Sequence, residues 1–113
     1  MKQRFGFTLR KRMTPEAKVK LKVRNVLKEL NAYYSMPITG GYGNSGAPDF
    51  LVCLNGRFIG IECKAGRNKP TALQEKNLAQ IRSAGGIAIV INEENVDGLR
   101  KCLFDSSSYK DNV

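Results

Sequence analysis

Residues 49–64 read Asp49-Phe50-Leu51-Val52-Cys53-Leu54-Asn55-Gly56-Arg57-Phe58-Ile59-Gly60-Ile61-Glu62-Cys63-Lys64. Two apolar-rich runs, Asp49 to Leu54 and Arg57 to Lys64, flank Asn55-Gly56, the dipeptide best suited to positive φ at both central positions of a two-residue hairpin turn. The runs should therefore pair antiparallel. If the dipeptide alone makes the turn, Leu54 opposes Arg57, Val52 opposes Ile59, and Asp49 opposes Glu62. Directly opposed residues share a sheet face with Cβ atoms roughly 4.5–5.5 Å apart. The period of two brings Lys64 to the same face. Asp49, Glu62 and Lys64 are thus expected as one cluster, while Phe50, Val52, Ile59 and Ile61 face the core.

Two carboxylates set side by side repel, and one pKa rises unless a positive charge separates them. Lys64 can supply that charge as a surface cluster. A divalent cation is the other solution: a hard ion such as Mg²⁺ takes oxygen ligands, one or two carboxylates among them, and keeps waters for chemistry on phosphates. Asp49 is delivered by an uncharged, glycine-rich loop, Gly40-Gly-Tyr-Gly-Asn-Ser-Gly-Ala-Pro48. Its small residues would let a phosphate backbone approach closely, or they simply make a flexible loop. It is not a P-loop, since no Gly-Lys-Ser/Thr follows. Beyond Lys64 comes Ala65-Gly-Arg-Asn-Lys-Pro70, which sets two more cations beside the cluster.

Working outward, Thr14-Pro15-Glu16 opens a helix: Thr caps free amides, Pro suits the first position, and an early acid complements the dipole. The helix should run to about Asn31, with Val19, Val23, Val26, Leu27 and Leu30 on one stripe. Glu16 falls three residues before Val19 and seven before Val23, so it is expected on the inward face, able to join the cluster. Tyr33 to Thr39 suits a strand, with Pro37 marking an edge or irregularity. Thr71-Ala-Leu-Gln74 is a capping box for a second helix that ends at Gly85-Gly86. Ile87 to Ile91 reads as a buried strand. Glu94 to about Phe104 makes a shorter helix weakened by Gly98, followed by a frayed Ser-rich tail. The order is α-β-β-β-α-β-α in one domain, with a basic arm at 1–13, a folded body at 14–104 and a flexible tail at 105–113.

Composition narrows the chemistry. The 113 residues contain no histidine, which excludes a Ser-His-Asp triad, a Cys-His dyad and a His-ligated zinc site. Cys53, Cys63 and Cys102 form no Cys-x-x-Cys pair, and two lie inside strand-like runs, so buried reduced thiols and a cytoplasmic setting are expected. Residues 1–13 carry charges where a signal peptide needs an apolar stretch. No uninterrupted apolar run approaches the ~20 residues of a membrane span.

The net charge of +9 lies entirely at one end: residues 1–28 hold ten bases and one acid, whereas residues 29–113 hold nine of each sign. A basic arm and helix on a neutral body is an electrostatic footprint for a polyanion, nucleic acid first. A solvated helix face behind a disordered leader has the same charge pattern.

The order Glu16, Ala47-Pro48-Asp49, Glu62-Cys63-Lys64 and Gln74, over an α-β-β-β-α-β scaffold, resembles the PD-(D/E)xK nuclease superfamily. It is most similar to the virus-type replication-repair nuclease (VRR-NUC) branch, in the stand-alone form of phages and bacteria. The resemblance covers Thr14 to Leu103, and Ala84-Gly-Gly-Ile-Ala-Ile-Val90 is also similar to that branch. It implies an α/β (α+β), restriction-endonuclease-like fold, a central mixed sheet flanked by helices. It further implies a Mg²⁺- or Mn²⁺-dependent endonuclease that cleaves branched DNA in the manner of a Holliday-junction resolvase, as a homodimer. Asp49, Glu62 and the Cys63 main-chain carbonyl would hold the metal, with Glu16 supporting a second ion or its waters. Lys64 would position the attacking water. Gln74 would orient Lys64 or touch the phosphate, unless it serves only as a helix cap. A non-catalytic nucleic-acid-binding module and a small replisome adaptor are the competing readings.

Overall fold

The computed structural model describes residues 12–38 and 46–111. Residues 1–11 of the basic arm and 39–45 of the glycine-rich loop lie outside the described residues. The elements run α1 (Pro15–Glu29), β1 (Tyr33–Ser35), β2 (Phe50–Leu54), β3 (Arg57–Cys63), α2 (Ala72–Ser83), β4 (Ile87–Ile91) and α3 (Leu99–Asp111), with a 3-10 turn at Val96–Gly98 leading into α3. The strands form one mixed sheet in the order β1-β2-β3-β4. β1–β2 and β2–β3 are antiparallel, while β3–β4 is parallel across the α2 crossover. The α/β architecture read from the sequence is therefore present, sheet and flanking helices alike.

The turn behaves as its residues require. Asn55 and Gly56 have φ of 51° and 81°, and the register sets Leu54 opposite Arg57, Val52 opposite Ile59 and Phe50 opposite Ile61. Phe50, Val52, Ile59 and Ile61 are fully buried. They pack with Val19, Val23 and Leu27 of α1 and with Leu99 and Leu103 of α3, so α1 and α3 share one sheet face. Tyr34 meets Phe50 edge-on, ring centroids 5.9 Å apart. Arg100 and Glu29 form an ion pair that ties α3 to the end of α1.

Helix ends follow local chemistry. Thr14 Oγ1 accepts from the Ala17 N–H at 3.1 Å, and Pro15 occupies the first turn. At the far end the Ala32 N–H donates to the Leu27 carbonyl and the Asn31 N–H to that of Lys28, a Schellman closure with Asn31 at positive φ. Helix α2 closes in the same way with Gly85 at φ 97°.

Several expectations need correction. β1 stops at Ser35, before Pro37, and lies at the sheet edge. β4 forms the opposite edge and is only partly buried, with Ala88 and Ile91 inside. α3 starts later than Glu94, because Asn92 and Asn95 hold that segment in side-chain-bonded turns, and it continues to Asp111, past the Phe104 end expected from the sequence. Of the three thiols only Cys63 is buried; Cys53 and Cys102 are exposed, because Cys53 lies on the sheet face opposite the Val52 core.

The smallness of Gly46 serves packing against α2. A Cβ there would come within 2.6 Å of Leu73 Cγ and 2.8 Å of the Leu73 carbonyl oxygen. Gly46→Ala should therefore destabilise the chain by about 1–3 kcal/mol, read as a fall of several degrees in melting temperature. Gly98 has open space at its Cβ position, and Gly98→Ala should be neutral or stabilising by up to about 1 kcal/mol.

Candidate active site

The hairpin register carries β2 backwards to Asp49, which sits in a bend just before Phe50 and so at the level of Glu62 on β3. Asp49 is fixed by the backbone: its Oδ2 accepts from the Cys63 N–H at 2.8 Å. Its other oxygen, Oδ1, lies 3.4 Å from Lys20 Nζ. The same ammonium is 3.7 Å from Glu16 Oε2, one helical turn back on α1. Glu62 is only 2% exposed, and its Oε2 lies 3.5 Å from Lys64 Nζ. Three acids and two lysines therefore meet where the amino end of α1 passes the ends of β2 and β3.

Burial dominates the electrostatics. Desolvation, followed by the charge of Asp49, pushes the Glu62 carboxyl up to about 7, although Lys64 pulls the other way. Desolvation and the neighbouring Asp49 and Glu62 charges push the Cys63 thiol up to about 12, so it stays protonated in the core and only its backbone bears on the site. For Lys20, burial alone would lower the pKa, but the attraction of Asp49 and Glu16 outweighs it and the net direction is up.

The sequence-predicted residues divide into three groups. Asp49, Glu62 and Lys64 come together as expected. Glu16 reaches the group through Lys20 and is part-exposed, not turned into the core. Gln74 is occupied elsewhere: its side-chain oxygen accepts from the Thr71 N–H at 2.9 Å while its own N–H donates to Thr71 Oγ1, completing the capping box.

Two contributors were not singled out from the sequence. Lys20 had a signal, the i,i+4 spacing from Glu16, but reads equally as one of the outward lysines of α1. Glu93 had none: both its oxygens accept from the Gly66 N–H, at 2.9 and 3.0 Å, across 27 residues of sequence. That contact pins the loop bearing Arg67 and Lys69. Glu16, Lys20, Gly66, Asn68 and Glu93 line an open cleft of about 600 Å³ beside the cluster.

Among the described residues no three His, Cys, Asp or Glu side chains stand close enough to hold a metal by themselves. The donor set on offer is smaller: Asp49, Glu62 and the Cys63 main chain. Cys63 directs its N–H toward Asp49, and the N–H and C=O of one strand residue leave on the same side of the strand. Two carboxylates, a carbonyl and waters suit a hard divalent ion such as Mg²⁺.

Burial of Glu62 has a measurable consequence in the metal-free chain. Its folded-state pKa lies above the unfolded value, so the folded state binds the extra proton and stability falls as pH rises from about 4.5 toward about 7, levelling off above. Thermal melts in chelator should show this decline in the parent chain. Glu62→Gln should lack it and gain relative stability at pH 8 over pH 5.

No family model matches the chain. A protein of Acyrthosiphon pisum secondary endosymbiont phage 1, named "Putative nuclease p44", is 38% identical over 58 residues, or 50% of this chain. The match spans 62% of that relative, less than two thirds of its length. A solved structure described as a VRR_NUC domain superposes with a TM-score of 0.68 at 26% identity, covering 79% of this chain and 97% of that one. Its mixed sheet and flanking helices match that domain over nearly its whole length, so the chain has the VRR_NUC nuclease fold.

Proposed function

We propose that the chain is a metal-dependent endonuclease that hydrolyses phosphodiester bonds in branched DNA, acting as a homodimer. One observation carries this reading: Asp49 and Glu62 converge beside Lys64 at an accessible end of the sheet, on a VRR-NUC fold. Asp49, Glu62 and the Cys63 carbonyl would hold Mg²⁺ or Mn²⁺, with Glu16 turned toward the waters of the same ion. A bound dication supplies polarisation of the phosphoryl oxygen and a water of lowered pKa, so no histidine is needed.

The chain's own residues do the rest. Lys64, 14% exposed and already directed by Glu62, orients the attacking water and neutralises charge developing on the phosphate. Arg67 and Lys69, on the loop held by Glu93, and the exposed Lys18, Lys22 and Arg24 of α1 offer contacts to the DNA backbone. Tyr33, Cys53 and Phe58 stand in register across β1, β2 and β3 with exposed side chains, an apolar row of the kind a second copy would cover. Gln74 in this reading stays in the cap and acts at most through the phosphate of a bound strand.

One observation favours a non-catalytic nucleic-acid-binding module instead: Asp49 and Glu62 each already have a lysine partner. The two readings separate on one panel of four-way, flap, linear and single-stranded DNA, incubated with Mg²⁺, Mn²⁺ or chelator. Cleavage should need the dication and favour the branched substrates. Asp49→Asn and Lys64→Ala should each lower it by about 100-fold or more while DNA affinity is retained. Cleavage that persists in chelator, or in both variants, would refute the nuclease assignment. Sedimentation equilibrium should give a dimer that Phe58→Glu converts to monomer.

A further inference from the structure

We propose that Lys20 is a built-in, displaceable counter-cation, which holds the metal-binding edge of the site closed to divalent ions until their concentration is high enough to exchange with it. The inference rests on the metal-dependent reading above. It starts from an imbalance in the cluster. Lys64 serves Glu62, and on Asp49 the Oδ2 atom is held by the Cys63 N–H. Oδ1, which no backbone N–H among the described residues holds, is the one at 3.4 Å from Lys20 Nζ. An ammonium and a dication cannot both sit against that oxygen without strong like-charge repulsion.

Lys20 is also placed to leave. Its side chain is 36% exposed and carries its charge on a flexible four-carbon stem, and it lines the open cleft next to Glu16. In the metal-free chain it bridges Glu16 and Asp49, which would otherwise face each other without a cation between them. The same contact that steadies Glu16 and Asp49 therefore opposes a dication at Oδ1. This role differs from that of Lys64, whose partner Glu62 is buried and whose own side chain is largely enclosed.

The test is a calorimetric titration of MnCl₂ into the full chain and its variants, together with thermal melts in chelator and in manganese. Lys20→Met should bind Mn²⁺ about three- to tenfold more tightly than the parent, the size expected on removing one partly screened charge. In chelator it should melt lower than the parent, and manganese should restore it by a larger increment. Lys20→Arg, which keeps the charge, should titrate like the parent. Lys20→Gln replaces the Met variant if that one does not fold, and a variant that has merely lost structure would bind more weakly, the opposite direction. If the parent binds Mn²⁺ and Asp49→Asn does not, yet the neutral Lys20 variants bind no more tightly than the parent, the counter-cation role is wrong while the metal site stands. If the parent binds no Mn²⁺ even at about 10 mM, the metal reading falls and this inference with it.

Discussion

The site depends on a two-residue turn. Because Asn55 and Gly56 both hold positive φ, the β2–β3 pairing has one register, and that register alone decides that Asp49 arrives beside Glu62. A slip of one residue would exchange the sheet faces, putting Phe50 and Val52 where Asp49 and Leu51 lie and stranding a carboxylate in the core. The apolar contacts of Phe50, Val52, Ile59 and Ile61 with α1 and α3 make such a slip expensive, so the hydrophobic core acts as the lock on the geometry of the acid pair. Turn chemistry chooses the register and burial keeps it.

Charge is arranged against this background at some cost to stability. Three acids share a small volume with two lysines, and Glu62 sits at 2% exposure with its carboxyl pushed up to about 7. A protein selected only for stability would place an apolar residue at that position, since β3 is buried on both faces there. The strain is confined to the ends of β2 and β3, where Asp49 precedes the first paired residue and Lys64 follows the last. The paired strands behind it remain apolar and regular. This division lets the acid-bearing end carry an unfavourable arrangement without loosening the sheet.

How much of this could be read from the residues depends on whether the determinant was local. The Asn-Gly turn, the capping box at Thr71 and Gln74, the Thr14 cap and the Gly85 closure are all set by neighbours in sequence, and each appears where expected. Determinants that join distant segments were not legible. Nothing in the Gly40–Pro48 stretch shows that Gly46 must be small to admit Leu73, and nothing near Glu93 indicates that it clasps Gly66. Glu16 is intermediate: helical periodicity puts it near the buried stripe, but periodicity does not show that its carboxylate stays part-exposed and pairs with Lys20. Gln74 was legible twice, as a cap and as a site residue, and the bonds formed are those of the cap.

Helix α1 links core, acid pair and surface charge, because each side of it has a different duty. Val19, Val23 and Leu27 face the sheet and supply much of the core, fixing the helix against the hairpin. Glu16 and Lys20, one turn apart, pass over the acid pair at the amino end. Lys18, Lys22 and Arg24 face outward with the charge that distinguishes this end of the chain from its neutral remainder. A strand of DNA drawn by the outward charges would be held along an element that is rigidly registered, through its valines, to Asp49 and Glu62. The distance from backbone grip to reacting phosphate is then set by a packed helix and not by a loop, which is the condition for precise positioning in a domain of this size.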